Sequence, residues 1–318
     1  MRLPASPGHR RRRSRRELDD TRLAFLRFCN YFRNSWTPVC IPPAPLPQRR
    51  SFPVLVAELR VITCLAKLRM PNGLLYRVGV DSDPKSGGWN APCRKDRSFC
   101  YVPIRENTPS DRGSMFNRGY DEFTAFVTAL GDSWPPHLSG LCHLDPDFGH
   151  LTYGDAGSRA QRLREFMIPG SFIVFWAGLR WLDGPQAGAI VCSIIGFYRV
   201  SHVLQVSDIG VLDAHRNAHT RFRPAPSDQV IVFADPRGSG RLRRHIPIGE
   251  YRDRAQRVYP DTLSAWGDLK RKNGELLKDG YIQLGGNPPI FNKPDRFLKW
   301  FSRQRPEFVH ANNVTRAT

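Results

Sequence analysis

Two apolar runs constrain the fold of this chain more than any other feature: Phe172-Ile173-Val174-Phe175-Trp176 and Ile190-Val191-Cys192-Ser193-Ile194-Ile195-Gly196-Phe197-Tyr198-Arg199-Val200. Both are rich in β-branched and aromatic residues, which pack well on a buried pleated surface. Asp183-Gly184-Pro185 between them is a turn signal. An antiparallel pair at the centre of the fold is therefore expected. Around it the patterns predict strands at Leu74–Val80, Ser98–Ile104, Gln229–Ala234 and Tyr281–Leu284, the first two paired across a loop at 81–97. Short helices are predicted over Tyr120–Leu130, Arg159–Phe166 and Phe297–Ser302. There is no internal repeat and no βαβ rhythm. The expected class is α+β, a mainly antiparallel sheet core with peripheral short helices.

The 318 residues, 40% of them hydrophobic, are enough for one large core or two modest ones. With 26 glycines and 27 prolines, short elements and frequent turns are expected. No run of about eighteen apolar residues occurs, so a membrane span is not expected. Seven cysteines at irregular spacing include no C-x-x-C pair, which argues against a zinc ribbon or dithiol centre. An odd number of free thiols fits a reducing compartment, and a cytoplasmic location is expected.

The formal charge of +19 is unevenly placed. Residues 1–69 hold 15 Lys/Arg against 4 Asp/Glu, leaving 33 against 25 in residues 70–318. The run Arg10-Arg11-Arg12-Arg13-Ser14-Arg15-Arg16 can bind polyanions, whereas Ile41-Pro42-Pro43-Ala44-Pro45-Leu46-Pro47 is neither helix nor central strand. Glu17, Asp19 and Asp20 follow the arginines and no apolar region succeeds them, which is not the pattern of a secretory signal. Residues 1–69 are expected to be a basic, proline-rich disordered extension, or a stretch read from a start codon upstream of Met70. Residues 70–318 are expected to form a single α+β domain.

The densest chemistry lies in His143-Leu144-Asp145-Pro146-Asp147-Phe148-Gly149-His150, two carboxylates and two imidazoles in a loop set by proline and glycine. Such a cluster can hold a metal, bind a hydroxyl or move protons. Asp145-Pro146-Asp147 is equally ordinary turn chemistry, with aspartates capping backbone amides. Asp81 and Asp83 lead into a glycine-rich loop with Ser86, Gly87, Gly88 and Trp89, again open to substrate contact or turn capping. If the 81–90 and 143–150 loops meet, their carboxylates form one acidic pocket. Gly238-Ser239-Gly240-Arg241-Leu242-Arg243-Arg244-His245 offers amides and three arginines to a phosphate, but lacks the residues of a P-loop; a solvated basic hairpin is the simpler account. His215 and His219 stand four residues apart, a chelating spacing on a helix, without the glutamate of a zincin. From these segments no metal ligand set is assigned and no cofactor follows. No Gly-x-Ser-x-Gly elbow occurs.

Taken together, Arg77-Val78-Gly79-Val80-Asp81-Ser82-Asp83 with Ser86-Gly87-Gly88, Val102-Pro103-Ile104, and His143-Leu144-Asp145-Pro146-Asp147 followed by Gly170-Ser171-Phe172-Ile173-Val174-Phe175 resemble the nucleotide modification associated domain of the third type, over roughly 74–250. The resemblance implies an α+β domain of bacteria and phages linked to modification of nucleic-acid bases. It points to Asp81, Ser86, Gly87, Gly88, His143, Asp145 and Asp147 as site residues. A fainter local similarity relates Gly170–Trp176 and Ile194–Val200 to the hairpin of PUA-like domains, with Ser171 where an aspartate is usual. The expected function is modification of nucleotides or bases, with Asp81, His143, Asp145 and Asp147 as catalytic candidates. Ser86, Gly87, Gly88, Trp89, Arg241, Arg243 and Arg244 are the substrate-binding candidates, the arginines on phosphates. Nucleotide or nucleic acid and other proteins of a modification system are the expected partners. The alternatives are a non-catalytic reader of modified bases, in which Trp89 or Trp176 stacks on a base, and a structural partner in a modification complex.

Overall fold

The computed structural model describes residues 71–83, 87–113, 116–222, 226–283 and 287–314. The basic segment 1–69 and Ser86 lie outside the described residues. In chain order the strands are β1 (Gly73–Arg77), β2 (Pro92–Cys93), β3 (Ile104–Arg105), β4 (Arg118–Gly119), β5 (Leu141–His143), β6 (Thr152–Asp155) and β7 (Phe172–Trp181). They continue with β8 (Ile190–Gln205), β9 (Val230–Ala234), β10 (Gly240–Arg252), β11 (Ala255–Val258), β12 (Leu269–Lys270), β13 (Ile290–Phe291) and β14 (Phe308–Val309). The helices are α1 (Asp121–Ala129), α2 (Gly157–Phe166), α3 (Pro260–Trp266) and α4 (Pro294–Arg303). Prolines open α3 and α4, where a missing N–H costs nothing.

The fold is α+β and mainly antiparallel, with the β7–β8 hairpin at its centre as the apolar runs require. The main sheet runs β11-β10-β8-β7-β1-β13-β12. Successive residues of β7 face opposite sides. Ile173 and Phe175 enter one core with Phe123 of α1 and Leu163 of α2. Val174 and Trp176 enter a second core with Trp266 of α3 and Phe297 and Phe301 of α4. Past a register shift between Val200 and His202, β8 leaves β7 and pairs with β9, which carries β6 on its other side. A separate small sheet, β3-β5-β4, holds the chain just before the His143 loop.

Three predicted elements differ. Residues 98–104 do not form a strand beside β1, which lies parallel to β7 and antiparallel to β13. Instead Phe99 makes one bridge to Cys93, and both backbone polar groups of Tyr101 bond the side-chain amide of Asn313 at 2.8 and 2.7 Å. That amide does the work of a neighbouring strand, and Pro103 has no N–H to offer one. At 281–284, Tyr281 makes a single bridge to Arg257, and Leu284 is outside the described residues. The basic stretch 238–245, expected as a solvated hairpin, runs from residue 240 into the long strand β10 between β8 and β11.

Candidate functional site

His143 ends β5, and the loop that follows is folded back on itself by mutual hydrogen bonds between the backbones of Asp147 and Thr152, at 3.0 and 3.1 Å. This brings β6 up beside the loop. Gly154 of β6 donates its N–H to Asp145 Oδ1 at 2.9 Å, and Asn217 Nδ2 donates to the same oxygen at 2.8 Å. Asn217 Oδ1 in turn accepts from the N–H of His219 at 2.9 Å, capping the 3₁₀ turn Ala218–Arg221. One buried asparagine therefore fixes a carboxylate and an imidazole together.

His215 and His219 do not share a helix face. They lie on separate 3₁₀ turns, Val211–Arg216 and Ala218–Arg221, and Asn217 between them is extended at φ −153° and ψ 154°. His215 packs edge-on against His150, ring centroids 5.1 Å apart. His219 joins His143, the two Nε2 atoms 3.2 Å apart, and lies 3.7 Å from Asp145 Oδ2, longer than a hydrogen bond. Burial works to lower the basicity of His219, and Asp145, Gln229 and the charge of Asp155 together outweigh it and hold the ring above its usual range. Gly154 has a second duty here: a Cβ on it would lie 2.3 Å from His219 Cδ2. The ring rests directly on the strand backbone.

Both histidines are held from behind. His143 Nδ1 is 2.8 Å from Glu106 Oε2, and His219 Nδ1 is 3.0 Å from Gln229 Oε1. Glu106 is paired with Arg221, which also donates to the carbonyl of Phe116. Burial alone would raise the Glu106 carboxyl, but the His143 hydrogen bond and the charges of His143 and Arg221 hold it down at about 2. Side-chain exposure is 19% for His143, 13% for His219 and 6% for Asp145, so the cluster is recessed but reachable. These three are the one group with metal-ligating geometry among the described residues, their ligand atoms all within 4.8 Å of one another. Two imidazoles and a carboxylate around one point can share a proton, polarise a bound hydroxyl or coordinate a cation.

Asp147, two residues further on, is used differently. Its Oδ1 accepts from the N–H groups of Gly149 and His150 and from Asn312 Nδ2, and its Oδ2 faces His150 Nδ1 at 2.8 Å. Both oxygens are engaged in shaping the loop. The remaining sequence candidates are dispersed. Asp81 bonds Arg77 and the N–H of Gly178, with 2% of its side chain exposed. Arg77 lies over the Trp176 ring, whereas Asp145 exerts its field on Tyr76 and Tyr153, which face the other core. The two carboxylates have different hydrogen-bond partners. Two described residues of the 81–90 loop approach the small sheet and the segment before it, with Arg105 N–H 3.4 Å from Asp83 Oδ2 and Gly87 beside the His137 ring. Gly88 is exposed, and Trp89 is half-buried against Trp134, centroids 6.0 Å apart. Trp176 is enclosed and unavailable to a base.

The arginines of 241–244 also part company. Arg241 is fully buried, its guanidinium 3.9 Å over the Phe99 ring and donating to the carbonyls of Phe99 and Leu242. It faces the interior and cannot meet a phosphate as placed. Arg243 and Arg244 are exposed and line a cavity of about 330 Å³ with Lys95, Arg97 and Arg305. No described helix is long and apolar enough to cross a membrane.

Of the residues that build the centre, Glu106, Gly154, Asn217, Arg221 and Gln229 carry no motif. Only Gly154, a glycine inside a strand, has a sequence signal, that of close approach by another group. A family model described as nucleotide modification associated domain 3 matches residues 72–276. No curated protein and no solved structure matches the chain significantly. With well over half its length matched, the chain belongs to the nucleotide modification associated domain 3 family.

Proposed function

We propose that this chain acts chemically on nucleotides or on the bases of a nucleic acid, with His143, Asp145 and His219 as its reactive centre. The observation that carries this is the convergence of two Nε2 atoms and one carboxylate oxygen at a recessed but reachable point. Each is fixed by a partner on its far side, the preorganisation that acid–base or electrostatic catalysis needs. Membership of the family supports the substrate class. Arg243 and Arg244, with their basic neighbours, would hold phosphates. Asp147 acts as a positioning residue in this scheme, through the loop that carries Asp145, and other proteins of a base-modification system are the natural partners. Trp176, one of the two stacking residues considered for a reader of modified bases, is enclosed, which favours the enzyme reading.

The test is to incubate the full chain with nucleotides, DNA and RNA and to analyse nucleosides by mass spectrometry. A new nucleoside whose formation is lost in Asp145→Asn and His219→Ala supports the proposal. Unaltered ligand recovered after tight binding would make the chain a reader. Absence of both turnover and binding would make it a structural partner.

A further inference from the structure

The imidazoles of His143 and His219 meet nitrogen to nitrogen. Their planes are 89° apart, their centroids 4.8 Å apart and their Nε2 atoms 3.2 Å apart. Each ring presents its other nitrogen to an acceptor, Glu106 Oε2 and Gln229 Oε1. An ionised carboxylate and an amide carbonyl can only accept, so the hydrogen of each neutral ring sits on Nδ1. Both Nε2 lone pairs then point at the same place. Two lone pairs at that separation repel unless something positive stands between them.

A third donor completes the arrangement. Asp145 Oδ1 is occupied by Gly154 N–H and Asn217 Nδ2, which turns Oδ2 toward the histidines. We propose that His143 Nε2, His219 Nε2 and Asp145 Oδ2 bind one divalent transition-metal ion of the zinc(II) or iron(II) class, with a coordination position left open to water or substrate. Ligand atoms on a tetrahedral ion with bonds of about 2.0–2.1 Å stand about 3.3 Å apart, the spacing the two Nε2 atoms already have. A small rotation of the Asp145 carboxylate brings in the third. Two imidazoles and one carboxylate suit zinc or iron(II), whereas calcium and magnesium take oxygen ligands.

The surroundings have the character of an outer shell. Arg221 holds Glu106, Glu106 holds His143, Gln229 holds His219, and Asn217 with Gly154 holds Asp145. Partners of this kind orient ligands and raise their basicity. The competing account is a proton shared between the two imidazoles, which places no metal there. The metal assignment holds whatever the substrate, and it makes His143 a ligand and not a proton carrier.

The test uses the full chain, stripped with a chelator and titrated with zinc(II) and with cobalt(II). One ion per chain is expected. The cobalt form should show visible ligand-field bands without thiolate charge transfer. His143→Ala and His219→Ala should each weaken zinc by at least about 100-fold, and Glu106→Gln and Gln229→Ala by about 10–100-fold. His150→Ala should bind as wild type does. Absence of stoichiometric binding by the folded wild type overturns the proposal, as does binding that survives both histidine substitutions or depends on His150. Nucleotide conversion is scored separately, so intact metal binding without turnover counts against the proposed function alone.

Discussion

Asp145 and Asp147 stand two residues apart in one loop, each beside a histidine, yet they do opposite things. Asp147 has both oxygens engaged, three donors on Oδ1 and His150 on Oδ2. Against the cost of burial, the His150 hydrogen bond leads the interactions that hold its carboxyl below the ordinary range. Asp145 has one oxygen fully engaged and the other facing His219 beyond hydrogen-bond distance. Residue type and spacing are shared. What separates architecture from chemistry is which lone pairs the rest of the fold leaves unused.

That contrast can be broken from either side. The largest stability loss is expected for Asp147→Ala, which removes the buried carboxylate that Gly149, His150 and Asn312 donate to; about 2–4 kcal/mol should be lost in urea unfolding. An equal loss from Asp145→Asn, which keeps the acceptor for Gly154 and Asn217, would erase the distinction. Next comes Gly154→Ala, whose methyl group collides with His219; forced repacking should cost about 1–3 kcal/mol and abolish the function of the centre in a chain that still folds by circular dichroism. A third imidazole serves as a control remote from the loop. His245 is buried against Trp181 and bonded to Ser193, and burial, aided by Arg97 and Arg241, pushes it down to about 3. The unfolded chain therefore takes up this proton first. The contribution is whole above about pH 6.5 and falls by about 1.4 kcal/mol per unit as the pH drops toward 3. Unfolding midpoints at pH 7.0 and 5.5 should differ less in His245→Asn than in wild type. The smallest change in stability, under about 1 kcal/mol, is expected for Asp145→Asn, which keeps its bonded oxygen; it should nonetheless remove turnover.

Much of this frame is legible in the residues, and the reasons for the exceptions are physical. The β7–β8 hairpin declares itself because β-branched and aromatic side chains buried on both faces leave a continuous apolar run. β10 hides because its arginines look solvated, although Arg241 is interior, satisfied by two carbonyls and an aromatic face. The loop of the centre is visible as a dense polar cluster. Its third member is visible only as one of a pair, and the spacing of His215 and His219 misleads because an extended Asn217 separates them. Glu106 and Gln229 are single polar residues without pattern. Their roles come from topology, which brings the β3–β5 edge and the start of β9 to the same point.

The two asparagines near the end of the described chain extend this beyond the boundary of the family match. Residues 72–276 cover the strands of the centre, yet Asn312 bonds Asp147 and the N–H of Phe148, and Asn313 bonds both polar groups of Tyr101. Residues 312 and 313 are thus a clasp that buckles two distant loops, made of side-chain amides and not of a strand. Its consequence is practical: a fragment cut at 276 would keep every ligand of the centre and lose the fastening of the loop that presents them. The fastening of the loop thus lies outside the stretch that the family match covers.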